Sequence, residues 1–451
     1  MRTRTMPTSE PLMSEAVELP SMGYMPRWYQ TPLWSYIQNG GRRACVVWPR
    51  RHGKDITMIN LAAVMSQMRV GVYWHVFPYL NQARRAIWNG RTKEGVPFMD
   101  AFPEPLIKNK SNHEMSLYLK NDSVYQIMGA DDPNRLVGSN PVGVIFSEWA
   151  LMDPNAWKLI SPILAENDGW AVFIFTPRGE NHGLDTLNEA KRNKNWFWSH
   201  ETAVSLKVLS PGRLQEARDE LGDEALFQQE MMTSFETPVQ GAYYAKQMRR
   251  LSKDKRITEV PIDTRLPVHT AWDLGMNDET TIWFFQQYRA EVRIVDYYAS
   301  SGESLAHYAQ VLKRKSDEAG FTYGDTHLPH DVVVREMGTG KTRLDTLRDL
   351  GIRGRAGPKL PIEDGIEAVR NLLPRCWFDR TKTHEGLNAL RSYTKEWDTE
   401  KATYKNRPLH NWASHAADSF RYLAIAIKDK KIDKSNRQAD KAENDWDPFD
   451  Y

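Results

Sequence analysis

A short apolar run, the pair Gly53-Lys54 and a second apolar run constrain the fold of this chain more than any other feature. Cys45 to Trp48 predicts a buried strand, the next four residues a tight turn, and Asp55 onward an apolar helix. Such a turn aims backbone N–H groups and the positive end of a helix at one point, which suits phosphate. We therefore predict a phosphate-binding loop, with an ordinary strand-to-helix turn as the alternative.

A second apolar run brings two polar side chains to the end of a predicted strand. Val142 to Phe146 is typical of a central parallel strand, and Ser147-Glu148 follows it. Nucleoside triphosphatases place an aspartate for Mg²⁺ and a glutamate for the attacking water here. In this chain Asp55 occupies the usual hydroxyl position of the loop and Ser147 the usual aspartate position. We predict that Mg²⁺ meets the same ligand types with their positions exchanged.

The order of predicted elements indicates an α/β fold of the P-loop, ASCE type. The loop strand and its helix are followed by the strand Val70 to Phe77, a hairpin around Asn121-Asp122, the Glu148 strand, and the strand Trp170 to Phe175. This order predicts a mostly parallel sheet with nucleotide at the carboxyl ends of the strands. Thr176 ends the last strand and is placed to sense the γ-phosphate.

The segment Tyr24 to Ile37 precedes the loop by the distance found for adenine-reading segments in helicase-like ATPases. The amide of Gln30 can pair with a donor and an acceptor on an adenine edge, and Trp28 and Tyr29 can stack on the base. An amphipathic helix packed on the sheet explains the same residues. The predicted ATP contacts are Gln30, Arg50, Arg51, His52, Gly53, Lys54, Asp55 and Thr176.

Carboxylates recur in a second set of strand patterns. Asp273 ends a strand that begins at Val268, Asp331 falls on a predicted strand from His327 to Val334, and Asp418 interrupts an apolar helix pattern. This order matches the ribonuclease H-like fold, in which such acids hold two Mg²⁺ or Mn²⁺ ions for phosphodiester cleavage. Taken singly, each aspartate could instead be a cap, a turn residue or an ion-pair partner.

The run Gly338 to Thr342 looks like another phosphate loop, but Arg335 stands at its first glycine position and no suitable acidic strand follows. We interpret it as a basic loop that contacts DNA phosphate through Lys341 and Arg343. A solvated surface loop is the alternative.

Length and composition limit the organisation of the chain. A length of 451 residues suggests two or three domains, and a formal net charge of +2 means that any nucleic-acid surface is local. No apolar run reaches the length of a membrane span, and the two cysteines fit a reducing, cytoplasmic compartment. The predicted domains are a flexible arm 1–23, an ATPase 24–200, a helical linker 201–262, a nuclease 263–427 and a disordered tail 428–451.

With the motifs WPRRHGKD, VIFSE, FTPRG, AWDLG, LPHD and HAADSFRY in this order, the chain resembles the large subunit of tailed-phage terminases, which package DNA and cut it. The resemblance covers about residues 24–427. It implies that Lys54 holds phosphate, that Glu148 is catalytic and that Thr176 belongs to a coupling motif. It also implies that Arg50 or Arg51 stabilises the transition state. The implied nuclease metal ligands are Asp273, Asp331 and Asp418.

The resemblance further implies partners: double-stranded viral DNA, a small terminase subunit, the portal of the procapsid, and other copies of the chain during packaging. It places the protein in the cytoplasm of the infected host and not in the mature virion. Two alternatives stay open. One is a cellular helicase-nuclease that does not package DNA, and the other is a scaffold whose altered loop binds nucleotide without turnover.

Overall fold

The structure, a computed structural model, describes residues 17–427 except 132–135, 137, 238, 276–278, 336–339 and 399–402. The predicted tail 428–451 and most of the predicted arm therefore lie outside the described residues. The chain divides into two compact units. The first unit comprises Met1–Arg178 and His182–Thr237, and the second comprises Gly179–Asn181 and Pro238–Tyr451. The segment 201–262, interpreted from sequence as a linker, is divided between them.

The first unit alternates strands with helices. Its strands are β1 Arg43–Val47, β2 Val72–Phe77, β3 Ile107–Ser111, β4 Ser116–Leu119, β5 Val124–Gly129, β6 Pro141–Ser147, β7 Trp170–Phe175 and β8 Trp196–His200. Its helices are α1 Thr31–Gln38, α2 Lys54–Met68, α3 Leu80–Ala83, α4 Asn155–Glu166, α5 His182–Arg192, α6 Ala203–Leu206, α7 Pro211–Leu221 and α8 Glu224–Glu230.

These eight strands form one sheet in the order β3-β4-β5-β2-β6-β7-β1-β8. In the spatial order from β5 through β2, β6, β7 and β1 to β8, every neighbouring pair is parallel. At the other edge, β3 pairs with β4 and β4 pairs with β5 in antiparallel fashion. Strand β7 lies between the loop strand β1 and the Glu148 strand β6, which is the ASCE arrangement. The predicted fold class of this unit is therefore confirmed.

Both faces of this sheet are covered, which explains why its strands are continuous apolar runs. In β1, Ala44 and Val46 belong to one buried cluster, and Cys45 and Val47 belong to another. The loop between β1 and α2 is consequently anchored by a strand that is buried on both sides.

The second unit contains a longer series of strands. They are β9 Ile257–Thr258, β10 Val268–Asp273, β11 Glu279–Tyr288, β12 Glu291–Ser301, β13 Tyr323–Leu328, β14 Gly354–Ala356, β15 Cys376–Asp379, β16 Lys395–Asp398 and β17 Thr403–Pro408. Its helices are α9 Ala245–Lys253, α10 Leu305–Ala319, α11 Arg343–Asp349, α12 Ile362–Leu372, α13 His384–Ser392 and α14, residues 412–427.

Seven of these strands form a sheet in the order β14-β13-β10-β11-β12-β15-β9. Strand β11 pairs in antiparallel fashion with β10 on one side and with β12 on the other. Strand β13 pairs parallel to β10, and β14 pairs parallel to β13. Three antiparallel strands extended by two parallel ones are the core of the ribonuclease H-like fold. The predicted fold class is confirmed here too.

The strand predicted from His327 to Val334 is wrong. Strand β13 ends at Leu328, and Asp331 lies in a short 3₁₀ helix, His330–Val333. Pro329 lacks an N–H group and cannot continue the ladder, so the β-branched residues after it do not extend the strand. None of the described helices is both long and apolar enough to cross a membrane.

Two candidate active sites

The loop between β1 and α2 turns sharply at Gly53. This residue has φ +79°, in the left-handed region, and a Cβ there would lie 2.8 Å from Gln30 Nε2. A side chain would therefore be strained and would also meet Gln30. Helix α2 begins directly afterwards at Lys54, so its N-terminus opens onto the turn. This geometry has the form of a phosphate-binding loop.

Lys54 is buried beneath this loop. Its Nζ donates to the carbonyl oxygens of Trp48 and Pro49 and to Oγ1 of Thr176, each at 3.0 Å. Burial lowers the pKa of Lys54, and the nearby carboxylates of Glu148 and Asp55 oppose that shift. One ammonium thus joins the loop to the end of β7, and the structure brings together the predicted residues Lys54 and Thr176.

Asp55 and Ser147 are in contact, as the exchange of ligand positions requires. Ser147 is the last residue of β6, and its hydroxyl donates to Asp55 Oδ1 at 2.5 Å. A carboxylate and a hydroxyl held side by side at the end of a phosphate loop, where α2 begins, are ligands that suit Mg²⁺. The residues present therefore fit this ion.

Two residues not predicted from the sequence lie behind Asp55: His75 contacts Asp55, and Tyr125 contacts His75. His75, fully buried on β2, lies 3.4 Å through Nε2 from Asp55 Oδ1 and 2.9 Å through Nδ1 from the Tyr125 hydroxyl. Burial would raise the pKa of Asp55, but His75, the Ser147 hydroxyl and Lys54 together lower it. Asp55 is therefore ionised at neutral pH. A histidine inside the apolar run Val72–Phe77 was the available signal.

Glu148, the predicted catalytic glutamate, is a buried carboxylate directly after β6. It follows β6 with φ +55°, an uncommon conformation for a side chain of this size. Its Oε2 is buried and has no hydrogen-bond partner among the described residues. Burial raises the pKa of Glu148, and the cations Lys54 and Arg178 moderate the shift. An unpaired, partly desolvated carboxylate can accept a proton.

The arginine whose charge lowers the pKa of Glu148 is Arg178, which was not among the residues predicted from the sequence. The predicted Arg50 and Arg51 are exposed, with 64% of the Arg50 side chain accessible. Arg178 has only 17% of its side chain exposed, and its guanidinium pairs with Glu230 Oε1 at 2.5 Å. The backbone of Glu230 also accepts from Arg50 N at 3.0 Å. Glu230 thus ties both sides of the candidate nucleotide site to helix α8.

Gln30 and His52 lie against the loop. Gln30 is buried; its Oε1 accepts from Arg27 N at 2.9 Å and from the Tyr24 hydroxyl at 3.1 Å. His52 Nδ1 lies 2.8 Å from the Arg50 carbonyl oxygen, and burial lowers the pKa of its ring. Adenine recognition by Gln30 stays a prediction.

The second candidate site lies at the carboxyl end of β10. Asp273 ends this strand, and its Oδ2 is 3.3 Å from Nδ1 of His415 on α14. Asp418 lies one turn further along α14 and pairs with Arg421 at 2.7 Å. Burial raises the pKa of Asp418 to about 6; Arg421 opposes this shift and the charge of Asp273 adds to it. The two carboxylates are therefore close enough to repel each other.

Asp331 also belongs to this region, although it is exposed and not on a strand. Burial and the charges of Asp273, Asp418 and Asp331 raise the pKa of Tyr422 to about 12, with Arg421 in opposition. All three predicted carboxylates thus act on one hydroxyl of α14. Parallel strands β10 and β13 end at the same sheet edge, which explains the convergence. Carboxylate oxygens are the ligands that a hard divalent cation prefers, but among the described residues these three do not form a group whose ligand atoms lie within 4.8 Å of one another.

The predicted DNA-contacting residues lie at the start of α11. Lys341 Nζ pairs with Asp349 at 2.8 Å on the surface, and Arg343 is the first residue of the helix. Gly338 and Thr339 lie outside the described residues. DNA contact by Lys341 and Arg343 stays a prediction.

Metal binding at the carboxylate cluster should depend on pH. Because the pKa of Asp418 is raised from 3.8 to about 6, its carboxyl group is protonated below that pH and cannot ligate a cation. We expect Mn²⁺ affinity, measured by electron paramagnetic resonance, to fall about tenfold per pH unit below about pH 6. As a control, the Glu148→Gln variant, which is altered in the other unit, should show the same dependence of Mn²⁺ affinity on pH as the wild type. A flat profile from about pH 7 to about pH 5 would contradict this.

No protein-family model matches the sequence, and no curated protein matches it. Solved structures are similar. A large terminase from a thermophilic bacteriophage, also solved with ADP and with ATP-γ-S, is 16% identical over 89% of this chain and 99% of that chain, with a TM-score of 0.40. The large terminase ATPase domain of Thermus phage P74-26 is 21% identical over 49% of this chain and 100% of its own, with a TM-score of 0.40. The large terminase nuclease of thermophilic phage G20c, with bound cobalt, is 15% identical over 42% of this chain and 98% of its own, with a TM-score of 0.30.

Proposed function

We propose that this chain is the large subunit of a tailed-phage terminase, an ATP-driven DNA-packaging motor that also cuts DNA. One observation carries the proposal. A single chain joins an ASCE unit, with Lys54, Glu148 and Thr176 around one loop, to a ribonuclease H-like unit in which the charges of three carboxylates act on one tyrosine. A motor and a nuclease in one chain are what cutting and packaging a genome require. The ordered sequence motifs support the same function.

In the proposed ATPase site, Gly53 and Lys54 bind the nucleotide phosphates and Asp55 and Ser147 hold Mg²⁺. The bound ion would supply charge neutralisation on the phosphate oxygens. Glu148 accepts a proton from the attacking water, and its raised pKa suits that role. Arg178 lies in the same electrostatic cluster as Lys54, so it is the arginine we expect to face the γ-phosphate within this chain. Arg50 and Arg51, which are exposed, are candidates to act on a neighbouring copy.

In the proposed nuclease site, Asp273, Asp331 and Asp418 hold Mg²⁺ or Mn²⁺, and the ions supply an activated water and a stabilised leaving oxygen. His415 orients Asp273 through its 3.3 Å contact. Arg421 neutralises Asp418, and cation binding has to compete with this ion pair. Lys341 and Arg343 would contact the DNA backbone. The substrate in this proposal is concatemeric viral DNA.

The proposed function also names partners and a place of action. These are double-stranded viral DNA, a small terminase subunit, the procapsid portal and further copies of this chain, in the cytoplasm of the infected bacterium and not in the mature virion. The alternative, a cellular helicase-nuclease, would use the same two sites without a procapsid.

The test measures both activities of the purified chain together. With Mg²⁺ or Mn²⁺ it should cut supercoiled plasmid and hydrolyse ATP, and procapsids or the proposed small subunit should stimulate hydrolysis more than DNA ends or forks do. Stimulation by ends or forks alone would favour the helicase-nuclease. If neither activity appears even with the small subunit present, the terminase function is wrong and a nucleotide-binding scaffold replaces it.

A further inference from the structure

A second group of possible metal ligands lies in the second unit, away from the three carboxylates. His269 is on β10, and Asp325 and His327 are on the neighbouring strand β13. Each offers one ligand atom, and these atoms all lie within 4.8 Å of one another. His269 precedes Asp273 by four residues on the same strand, a separation of about 13 Å. This group is therefore distinct from the candidate nuclease site.

The sheet brings these side chains together for reasons that can be read from its register. Strands β10 and β13 are parallel, with Ala271 opposite His327. The register shifts by one residue between Val268 and Thr270, so β13 has two residues, Gly324 and Asp325, opposite His269, and the ligand atoms of His269, Asp325 and His327 come together there. Gly324 provides the room for the His269 ring, since a Cβ at Gly324 would lie only 2.5 Å from His269 Cε1. The strand pair thus has a glycine at a position where a side chain would displace the imidazole.

The distances between the three ligand atoms are close to those found around a bound metal ion. His269 Nδ1 and Asp325 Oδ2 are 3.8 Å apart. Two ligands on one Zn²⁺ lie about 3.4 Å apart in tetrahedral geometry, so no pair has to approach by more than about 1.4 Å. The Asp325 side chain is 31% exposed, which leaves its carboxylate able to rotate and the site open to solvent.

The state of the His269 ring also suits a ligand. Its Nδ1 accepts a hydrogen bond from the Asp325 backbone N–H at 2.8 Å, so this nitrogen carries a lone pair and no proton. An ion would compete with that N–H, which makes the affinity lower than that of a site with free ligands. Phe285 on β11 packs against both imidazoles, with ring centroids 5.4 Å from His269 and 6.1 Å from His327. This apolar ring limits the positions of both.

We propose that His269, Asp325 and His327 bind one transition-metal ion of the Zn²⁺ class. Two imidazoles and one carboxylate favour Zn²⁺, Co²⁺, Ni²⁺ or Cu²⁺ over Mg²⁺ and Ca²⁺, which prefer oxygen ligands. The bound ion joins β10 to β13. Because it binds the folded sheet and not the separated strands, it raises the stability of the second unit. This role is independent of the proposed packaging function and requires no nuclease activity.

The test uses the full chain, freed of metal by a chelator, with Zn²⁺ as the probe. Equilibrium dialysis is done in excess Mg²⁺, which competes with Zn²⁺ for sites built from carboxylates alone. Wild type should retain one Zn²⁺, and Asp325→Asn and His327→Gln should each bind at least about 10–100-fold more weakly, the range for lost outer partners of a metal. The matched controls His113→Gln and Asp317→Asn change exposed residues and should bind like wild type.

A second measurement needs no variant. Zn²⁺ should protect His269 and His327 from diethylpyrocarbonate, detected by mass spectrometry, and should leave the exposed His113 reactive. Co²⁺ should give a visible absorption band in wild type that Zn²⁺ removes. The proposal is wrong if wild type retains no Zn²⁺ in excess Mg²⁺. Unchanged labelling of both histidines, or folded Asp325→Asn and His327→Gln proteins that bind as tightly as wild type, would overturn it equally.

Discussion

Glu148→Gln is expected to lower ATP hydrolysis by about 10²–10⁴-fold, the usual contribution of a general base. The amide keeps the size of the side chain but cannot accept a proton from water. Binding of a fluorescent ATP analogue should persist, because Gly53, Lys54 and Asp55 are unchanged. Steady-state phosphate release, with plasmid cutting followed in the same samples, measures the effect. Cutting should continue at the wild-type rate.

The matched control is Glu166→Gln, an exposed glutamate on α4, which should hydrolyse ATP like wild type. If Glu148→Gln kept more than about a tenth of wild-type hydrolysis, the carboxylate would not be the base. The unpaired Oε2 would then need another explanation.

Asp273→Asn is expected to lower metal-dependent DNA cutting at least about 100-fold, since losing even an outer partner of a metal site costs up to that much. A neutral amide is a weaker ligand, and the site loses one negative charge. ATP hydrolysis should be unchanged. Plasmid cutting in Mn²⁺ and phosphate release in Mg²⁺ measure the two activities.

Asp273→Asn should also change the titration of its neighbour. The charge of Asp273 raises the pKa of Asp418, so removing it should move that pKa below about 6. Carbon-detected nuclear magnetic resonance of the Asp418 carboxyl group can follow the shift. The control Asp317→Asn alters an exposed residue of α10 and should preserve cutting. Wild-type cutting by Asp273→Asn would remove this residue from the nuclease site.

The sequence predicted both folds because their central strands are buried on two faces and therefore read as apolar runs. Strands β6 and β7 fall where those runs predict them. The bounds of strand β13 were not predicted correctly, because its sequence from Tyr323 to Leu328 is largely polar and only partly buried. The β-branched residues beyond Pro329 were a stronger signal for a strand, and they led to the wrong prediction that Asp331 lies on one.

Site residues could be predicted from the sequence where they end a strand. They were harder to predict where strand pairing determines which side chains meet. Ser147, Glu148, Thr176 and Asp273 all end predicted strands. The contact of His75 with Tyr125 depends on the pairing of β2 with β5, and its contact with Asp55 depends on how α2 packs on the sheet, neither of which one sequence determines. Arg178 could have been selected by its position after Thr176, but its partner Glu230 lies 52 residues further along the chain.

The contact between Ser147 and Asp55 limits how this site can evolve. Replacing Asp55 with serine alone would leave two hydroxyls and no carboxylate for the cation. Replacing Ser147 with aspartate alone would crowd a further negative charge against Asp55 and Glu148 in a buried place. Either single change is therefore disfavoured, and the usual arrangement can be reached only when both positions change together.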